Sequence, residues 1–374
     1  MSARAPAGAT RPPRTASRIE RAREAAARLG ADWLLIPSSP DFTWLTGARA
    51  RVTERMVAFA LPRDSDPFAI VPRLEADALA AAAPWLELEV WEEAEDPFAI
   101  LERRLGLERR PRVLLGEGLR VPAVLRLAAA ANCGTASTAL APLRAVKDAD
   151  ELGRLEEAAR HADQIVEQAA DFMRPGMAEQ EVARFIADRF AAAGDLEPWA
   201  IVAAGPNSAL PHHETSARRL AEGEPVLLDL GASTDGYGSD ISRTYWLGKP
   251  PEEAERVFRA VDEARARGIE AARAGAPCEA VDRAAREVIE RAGFGPQFLH
   301  RTGHGVGLEV HEPPWLSPGN RAPLAAGMVH SVEPGIYLAG RFGIRLEDLV
   351  VVEAAGGRRL NTAPRHLQPP RLRP

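Results

Sequence analysis

The 374-residue sequence has little cysteine, almost no lysine and no long apolar run. Its two cysteines, Cys133 and Cys278, are far apart and lie outside any CxxC motif, which excludes a disulfide framework and a thioredoxin-like redox motif. Reduced thiols are typical of the cytoplasm, where we expect this protein to reside. No stretch reaches the ~18 consecutive apolar residues that a membrane-spanning helix needs, and residues 1–16 lack the apolar segment of a secretory signal. We therefore expect no membrane partner.

The charge of the chain argues against nucleic acid as a partner. Binding to phosphates requires a basic face, whereas the formal net charge here is −6. Only two of the 47 basic residues, Lys147 and Lys249, are lysine. Because alanine and proline are also abundant, this bias indicates a GC-rich genome rather than a phosphate-binding site. The apolar fraction of 46% and the charged fraction of 27% are ordinary for a folded globular protein.

Two regions are predicted within the first 142 residues. Residues 1–16 are expected to form a disordered tail, and residues 17–142 an α/β domain. A helical pattern over residues 17–29 is followed by short apolar runs that alternate with Ala/Leu/Arg-rich helical stretches, which is typical of an α/β fold. The runs that predict strands are DWLLIP, MVAFALP, PFAIVP and RVLLGEG. The segment SPDFTWLTG is interpreted as a loop, and no catalytic cluster occurs in this domain.

Residues 143–374 form a second predicted domain with an internal repeat. A long helix is expected from a cap at Asp148 or Asp150 to about Met173. The segment after it, RPGMAEQEVARFIADRFAAAG, resembles RAGAPCEAVDRAAREVIERAG further along the chain. Three landmarks recur at a constant spacing of 99 positions: Gly176 and Gly275, Val182 and Val281, Gly194 and Gly293. We expect two structurally similar halves, in each of which a strand-rich stretch follows the helices.

The first strand-rich stretch, VLLDLGASTDGYGSDISRTY, carries a pair of aspartates. Its apolar run, Asp-Gly turn and β-branched return predict a hairpin. Asp229 and Asp240 are symmetric about Thr234 and Asp235, so they would face each other across the two strands. Like charges at facing positions are destabilising. Such a pair requires a shared proton or a cation.

The second stretch, VHSVEPGIYLAGRFGIRLEDLVVV, repeats this pattern with Glu333 and Glu347, symmetric about Gly340. A single acidic residue in a hairpin ordinarily occupies a turn or faces solvent. Against this, Asp229 lies within LLDLG and Glu347 within IRLEDLVVV, and burying an unpartnered carboxylate is costly. With His304 of HRTGHGVGLEVHEPP, the four carboxylates predict a site for a pair of divalent cations. Hard oxygens with one imidazole favour Mn²⁺, Co²⁺ or Zn²⁺ over Mg²⁺ alone.

These segments together resemble the motifs of the M24 metallopeptidases. The match comprises LLDLG…GYGSDISRTY, TGHGVGLEVHEPP, SVEPGIY and GIRLEDLVVV, in this order, within residues 143–352. The resemblance implies an α/β chain whose C-terminal catalytic domain has the pita-bread fold with pseudo-two-fold symmetry. The N-terminal DWLLIPSSPDFTWLTG looks like the creatinase-type domain of the proline-specific branch. Methionine aminopeptidases generally lack that domain and creatinase lacks the metal ligands, so both fit less well.

The resemblance also implies a ligand set for two divalent metal ions, with Mn²⁺ expected and Co²⁺ or Zn²⁺ as alternatives. One ion would be bound by Asp229, the other by His304 and Glu333, and both would be bridged by Asp240 and Glu347. A water between the ions would have a pKa lowered toward neutrality. Members of the family usually dimerise, so we expect a homodimer.

Further roles follow for the catalytic and substrate-binding residues. By the resemblance, Glu333 would relay the proton of the water to the leaving amine. His212 and His311 match histidines that contact the substrate and the tetrahedral intermediate. Tyr237 and Arg345 are expected in the pocket, where Arg345 either holds a carboxylate ligand or binds the substrate.

Three other histidines lie outside the implied ligand set. We expect His213 and His300 beside the metal ligands, where they would orient them. His330 is expected to be a packed core histidine.

Cleavage of the bond before proline at a peptide N-terminus is the function that the resemblance implies. The imide nitrogen of proline has no hydrogen and its ring restricts the backbone, so ordinary peptidases cleave this bond poorly. We expect an Xaa-Pro dipeptidase (prolidase) that acts on proline-containing dipeptides or short peptides. An aminopeptidase P acting on longer peptides and a non-peptidase, metal-dependent enzyme of the same fold are the alternatives.

A dipeptidase needs a group that holds the carboxylate of proline. Some prolidases place an arginine shortly after the HE pair of the histidine motif, where this chain has Trp315. The sequence leaves three sources for this group: Arg301, Arg321 or an arginine of the N-terminal domain.

Overall fold

The structure is a computed structural model that describes residues 2–3 and 10–369. It comprises two compact units, Met1–Arg144 and Ala145–Pro374, and this division lies next to the predicted boundary between residues 142 and 143. The predicted disordered tail falls partly on residues 1 and 4–9, which are outside the described residues. The first helix begins at Pro13, so residues 13–16 are helical and do not belong to a tail.

The first unit is built on one mixed seven-stranded sheet with the strand order β1-β5-β4-β3-β2-β6-β7. Its strands are β1 Ser2–Ala3, β2 Trp33–Pro37, β3 Ala58–Pro62, β4 Phe68–Pro72, β5 Glu87–Trp91, β6 Arg112–Leu115 and β7 Asn132–Thr135. Its helices are α1 Pro13–Arg28, α2 Pro40–Thr46, α3 Arg73–Ala82, α4 Pro97–Leu105, α5 Val121–Ala130 and α6 Ser137–Ala145. The four predicted strands correspond to β2, β3, β4 and β6. Leu101 and Leu105 of α4 and Leu127 of α5 pack on the sheet in one buried cluster.

The prediction of a loop over SPDFTWLTG was wrong, because helix α2 occupies most of it. Ser39 caps the helix by accepting a hydrogen bond from the backbone N–H of Phe42. Pro40 stands at the first helical position, where proline is favoured. Gly47 ends the helix in the left-handed conformation with φ +76°. The cap and stop signals of a short helix were therefore present in residues that also form turns.

Up to residue 369, the last residue described, the second unit contains four long helices and three small sheets. Its helices are α7 Ala149–Phe172, α8 Glu179–Ala192, α9 Glu252–Ala271 and α10 Cys278–Arg291. Its strands are β8 Leu196–Ala204, β9 Pro225–Thr234, β10 Tyr237–Gly238, β11 Ile241–Trp246, β12 Gly303–Gly305, β13 Glu312–Leu316, β14 Val329–Val332, β15 Gly335–Leu338, β16 Phe342–Arg345, β17 Asp348–Val352 and β18 Gly357–Arg359. Strand β9 pairs with β8, β10 and β11, β15 pairs with β16, and the remaining strands form the order β13-β12-β14-β17-β18.

The predicted repeat is visible in the structure. Helices α8 and α10 both have 14 residues and begin 99 positions apart. The turn before each helix contains a glycine with positive φ, Gly176 at +92° and Gly275 at +84°. Val182 and Val281 occupy equivalent buried positions in the two helices. Each half therefore uses the same helical unit to support its own strands.

Helix α7 and strand β9 together orient the first predicted metal ligand. Asp148 caps α7 in a capping box with Glu151, each side chain accepting a hydrogen bond of 2.9 Å from the other backbone N–H. Alternate residues of β9, among them Val226, Leu228 and Leu230, are buried in one cluster with α7. Because successive side chains of a strand point to opposite faces, Asp229 points away from this core.

Two expectations about the environment of the chain can be compared with the structure. Cys133 and Cys278 are both free thiols, as expected from their spacing. Each helix among the described residues is either too short or too polar to cross a bilayer.

Candidate metal centre and its pocket

A pocket of about 710 Å³ in the second unit contains the predicted site. Its walls combine acidic, basic, histidine and apolar side chains: Trp199, Ile201, Pro211, His212, Asp229, Asp240, His300, Arg301, His304, Val310, His311, Glu333, Arg345 and Glu347. All five residues predicted as metal ligands are among them. Residues that are more than 100 positions apart in the chain thus line one cavity.

The potential ligand atoms lie close enough together to hold cations. They form three overlapping groups, in each of which the atoms lie within 4.8 Å of one another: Asp229, Asp240 and Glu347; His304, Glu333 and Glu347; Asp240, His304 and His311. Nε2 of His304 is 3.3 Å from Oε1 of Glu333 and 3.6 Å from Oδ2 of Asp240. The arrangement contains enough ligands for two neighbouring cation sites.

The expectation that Asp229 and Asp240 face each other directly was wrong. The hairpin turns at Asp235 and Gly236, with φ +48° and +93°, one position later than predicted. Asp229 consequently pairs with Ser242, and Asp240 precedes β11 as a diagonal neighbour. A register change of two residues keeps a side chain on the same face of a sheet. Both carboxylates therefore still enter the pocket.

The corresponding expectation for Glu333 and Glu347 was correct. The pairs on either side, Val332 with Asp348 and Gly335 with Arg345, keep one continuous register. The two glutamates consequently occupy facing positions in the connections between the paired strands. Each half of the repeat contributes one hairpin with two carboxylates.

His304 is oriented by its neighbours with Nε2 toward the carboxylates. Its Nδ1 lies 3.2 Å from the backbone oxygen of Gly305; because a carbonyl only accepts, Nδ1 carries the hydrogen and Nε2 has a free lone pair. The glycines on both sides allow the neighbouring strands to approach. A Cβ atom at Gly303 would lie 2.1 Å from the oxygen of Ser331, and one at Gly305 2.3 Å from that of Pro313.

The electrostatics of the cluster fit divalent cations. Burial, and then the charges of neighbouring carboxylates, raise the pKa of Asp240 and Glu347 well above the ordinary value. Burial also raises the pKa of Asp229. For Glu333, burial is outweighed by the His304 ring, so that its pKa is lowered. Oδ1 of Asp229 and Oε1 of Glu347 are buried without a hydrogen-bond partner, and such oxygens are suitable ligands for hard cations.

Arg345 holds the carboxylate of Asp229. Of the two roles that the sequence left open for Arg345, this is the first. Its Nη2 forms an ion pair with Oδ2 of Asp229, its Nε donates to Ser242 Oγ at 2.9 Å, and its Nη1 donates to the hydroxyl of Tyr337 at 3.0 Å. The side chain is only 3% exposed. Ser242 Oγ in turn donates to Oε2 of Glu347 at 2.7 Å. Arg345 thus links a carboxylate of the first hairpin to a carboxylate of the second.

Tyr337 is a residue of this site that sequence reasoning missed. Nδ1 of His300 lies 2.8 Å from the backbone oxygen of Arg301, so this nitrogen carries the hydrogen and Nε2 accepts one from Tyr337 at 2.8 Å. Burial lowers the pKa of His300 and raises that of Tyr337 to about 12, so both groups are neutral at pH 7. The only available signal was the position of Tyr337 in SVEPGIY, four residues after Glu333. His300 lies beside the predicted metal ligands, as expected. It is linked to Asp229 through the hydrogen bonds of Tyr337 and Arg345.

The prediction that Tyr237 lies in the pocket was wrong. This tyrosine is buried and donates a hydrogen bond of 2.9 Å to Glu151 of α7, and it packs in an apolar cluster with Val306. The β10 strand turns its ring toward the helix rather than toward the pocket. His330, in contrast, is fully buried in β14 as a core histidine, in agreement with the prediction.

His212 and His311 both line the pocket and are exposed to solvent. The His311 ring centroid is 4.0 Å from that of His304. Burial of part of the ring, together with the charge of His304, lowers the pKa of His311 to about 4. The next residue, Glu312, is anchored by Lys147, whose Nζ lies 2.5 Å from Oε1 in a buried pair. This ion pair immobilises the start of β13, directly after His311.

Sequence and structure comparisons identify the family. The sequence model of metallopeptidase family M24 matches residues 153–354. The chain belongs to this family. The model of the creatinase/prolidase N-terminal domain matches residues 18–146. The fold is therefore that of an M24 peptidase with a creatinase-like N-terminal domain and a pita-bread catalytic domain, as the motifs implied.

Individual relatives match over nearly the whole chain. The probable dipeptidase PepE of Mycobacterium bovis is 38% identical over 361 residues, which cover 94% of this chain and 96% of the relative. The crystal structure of dipeptidase PepE from Mycobacterium ulcerans has a TM-score of 0.90 at 36% identity, covering 95% of this chain and 97% of the other. The recombinant prolidase of Thermococcus sibiricus has a TM-score of 0.88 at 33% identity, with coverage of 95% and 98%. This M24 protein is therefore a peptidase of the dipeptidase and prolidase type.

His213 has a different role in this M24 peptidase from the one expected. It does not contact a predicted metal ligand; its Nε2 lies 2.9 Å from Oε2 of Glu179 at the start of α8. Burial would raise the pKa of Glu179, but the hydrogen bonds it accepts outweigh burial and lower it. The donors, at distances of 2.6–2.9 Å, are the backbone N–H of Ala204, the amide of Asn207, the ring of His213, and the backbone and hydroxyl of Ser216. One fully buried carboxylate thus fastens both ends of the segment that carries His212.

Replacing Glu179 by alanine will leave one buried and four part-buried donors without this acceptor. We expect the free energy of unfolding to fall by about 2–4 kcal/mol, because each buried unsatisfied group costs about 1–3 kcal/mol. Glu181→Ala is the matched control, since the exposed Glu181 caps a single backbone N–H of the same helix, and loss of a cap costs about 1 kcal/mol. Urea titrations of both variants measure the difference. Equal effects of the two substitutions would contradict the anchoring role.

Replacing Glu347 by glutamine will stabilise the metal-free protein and weaken metal binding. The amide removes a buried charge whose Oε1 has no partner, so we expect a gain of about 1–3 kcal/mol in the free energy of unfolding after chelation. Melting curves with and without EDTA, together with metal analysis, measure both effects. Because the pKa of Glu347 is raised in the folded protein, its cost is present above that pKa and is lost as the pH falls through it. The advantage of the variant should therefore shrink on acidification; a metal-free variant that melts below wild type at pH 7 would contradict the model of carboxylate repulsion.

Proposed function

We propose that this protein is an Xaa-Pro dipeptidase whose hydrolytic centre contains two divalent cations, with Mn²⁺ as the expected metal. The observation that supports this function best is the convergence of five potential ligands in one pocket: Asp229, Asp240, His304, Glu333 and Glu347. The family is that of the metallopeptidases. The oxygen-rich ligand set with one imidazole suits Mn²⁺, Co²⁺ and Zn²⁺.

Asp229 and the pair His304 and Glu333 would hold the two ions, and Asp240 and Glu347 would bridge them. When bound, the ions would lower the pKa of a water and polarise the carbonyl of the scissile bond. The hydrogen bonds of Arg345 and Ser242 keep the carboxylates of Asp229 and Glu347 in place without using the oxygens that lack partners. The protein thus supplies a rigid set of ligands.

Glu333 is the proposed carrier of the proton. It accepts a hydrogen bond of 3.2 Å from Ser331 Oγ, and its lowered pKa keeps it ionised at pH 7, so that it would hold the proton only transiently. Water adds to the carbonyl carbon, the bond from that carbon to the proline nitrogen breaks, and the proton passes by way of Glu333 to that nitrogen. The products are a free carboxylate and a secondary amine.

His212 and His311 are the proposed contacts to the substrate. Both lie in the pocket wall, and the lowered pKa of His311 keeps its ring neutral at pH 7, with one N–H available for donation. A donor aimed at the oxygen on which charge develops stabilises the transition state. Trp199, Ile201 and Val310 add apolar surface, which suits a proline ring.

An aminopeptidase P would use the same ligands and cut longer peptides, so the length of the accepted substrate distinguishes the two. We expect the Mn²⁺-loaded protein to hydrolyse Ala-Pro and to leave Ala-Pro-Ala largely intact, with EDTA abolishing the reaction. Efficient cleavage of the tripeptide would instead identify an aminopeptidase P. Failure to cleave either peptide with metal bound would reject the proline-peptidase function, and substrate profiling would then test a non-peptidase activity.

The role of His311 can be separated from metal binding. For His311→Ala we expect kcat to fall by about 10²–10³-fold, the effect of removing one donor to a developing oxyanion, with both metal ions still bound. The exposed His366, outside the pocket wall, supplies a control variant, His366→Ala, with unchanged kcat. Steady-state kinetics and metal analysis test this. Loss of metal from the His311 variant would make the residue a ligand instead.

The homodimer and the cytoplasmic location of the protein remain predictions. Size-exclusion chromatography with light scattering tests the homodimer, and localisation of a tagged chain tests the cytoplasmic compartment.

A further inference from the structure

Two arginines line the pocket, and one of them is fully committed. Arg345 uses Nε, Nη1 and Nη2 for Ser242, Tyr337, the backbone oxygen of Pro211 and Asp229. Binding a carboxylate would require it to release these partners. Arg345 is therefore a structural cation of the metal cluster.

Arg301 is different, because its guanidinium is not committed. Within residues 2–3 and 10–369, the side chain has no hydrogen-bond acceptor or ion-pair partner. It is half-buried in the pocket wall. Its only described contact is with an aromatic face: Cζ lies 4.4 Å from the ring centroid of Trp315.

The Trp315 ring places this cation close to the metal cluster. In the β12–β13 pairing, Trp315 stands opposite His304. Opposed residues of antiparallel strands have Cβ atoms about 4.5–5.5 Å apart and point to the same face. Arg301 is consequently held on the face of the sheet from which His304 enters the pocket.

Stacking also leaves the hydrogen-bonding edge of the guanidinium available. An arginine over an aromatic ring contacts it with its flat face, while its five N–H groups lie in the plane and point outward. This geometry matches a carboxylate, which accepts two parallel hydrogen bonds from such an edge. A half-buried location strengthens this pairing relative to one in water.

We propose that Arg301, supported by Trp315, binds the C-terminal carboxylate of the dipeptide and so determines the preference for dipeptides. This inference rests on the proposed function. In an Xaa-Pro dipeptide the carboxylate carbon is three covalent bonds from the scissile carbonyl carbon, so the anchor must lie near the metal centre. The four carboxylates of the pocket would repel this group, and Arg301 supplies the uncommitted positive charge that offsets the repulsion. In a longer peptide the same carbon belongs to an amide, which has no charge for Arg301 to recognise.

The test compares Ala-Pro with Ala-Pro-NH2, which has the same shape and lacks the negative charge. For wild type we expect a higher kcat/KM with Ala-Pro. Arg301→Gln should reduce kcat/KM for Ala-Pro by about 10–100-fold, mainly through KM, since a hydrogen-bonded charge pair has this magnitude. The value for the amide should change by less than about threefold. Arg301→Lys, which keeps the charge but loses the two-pronged edge, should fall in between.

Arg321→Gln is the control for the loss of a positive charge. Arg321 is 88% exposed and lies 3.9 Å from Glu279, outside the pocket wall, so the preference for Ala-Pro should be unchanged. The inference is overturned if Arg301→Gln weakens both substrates equally, or if the preference for Ala-Pro survives in that variant.

A binding measurement separates this inference from the proposed function. Calorimetric titration of the metal-free protein with Ala-Pro and Ala-Pro-NH2 requires no turnover. We expect Arg301→Gln to weaken binding of Ala-Pro by at least about tenfold and to leave binding of the amide unchanged. Absence of hydrolysis in wild type would reject the proposed function, whereas equal affinity of wild type and variant for Ala-Pro would reject the anchor.

Discussion

The proximity of three buried carboxylates and the part-buried Glu333 in one pocket is the constraint on which the rest of the catalytic unit depends. Like charges in apolar surroundings raise each other's pKa and destabilise the fold unless cations or protons compensate them. Arg345 pairs with Asp229, and the pKa of Asp240 and Glu347 is still raised. The oxygens of Asp229 and Glu347 that have no partner indicate where compensation is missing. The proposed affinity of the pocket for metal ions and the expected cost of the metal-free fold therefore have one physical origin.

A scaffold that holds such charges together must be rigid, and both halves of the repeat contribute to this. Each half uses a helix of 14 residues after a glycine turn and delivers one hairpin with two carboxylates. Buried charged groups then secure the segments that carry histidines. Glu179 fastens the segment of His212 through five hydrogen bonds, and Lys147 fastens the start of β13, next to His311, through Glu312. The pocket thereby combines rigid walls with two exposed histidines at its surface.

The sequence was a good guide where a pattern has one structural meaning. The five potential ligands, the spacing of the repeat and the pairing of Glu333 with Glu347 were all readable, because acidic residues rarely occur within apolar runs unless they bind a partner, and a constant spacing of several landmarks rarely arises without a repeat. It was a poor guide where the same residues serve two conformations. SPDFTWLTG contains turn formers that here cap a helix. The register of the Asp229 hairpin was mispredicted because the turn could be centred on Thr234 and Asp235 or on Asp235 and Gly236. Only the pairing of β11 with β9 selects the second position.

By itself, the sequence determined the family, the two halves and the chemistry of the candidate metal-binding cluster, because these depend on residue type and spacing along the chain. Only the tertiary structure decided which neutral and cationic groups surround that cluster. Tyr237 and Tyr337 cannot be distinguished by local pattern, yet one donates to Glu151 in the core and the other joins His300 to Arg345. Likewise, Arg301 and Arg345 both lie within a few residues of a predicted ligand, and only packing commits Arg345 to Asp229 and leaves Arg301 against Trp315. The physical reason is that a side chain's partners come from strands distant in sequence, whose register no local signal encodes.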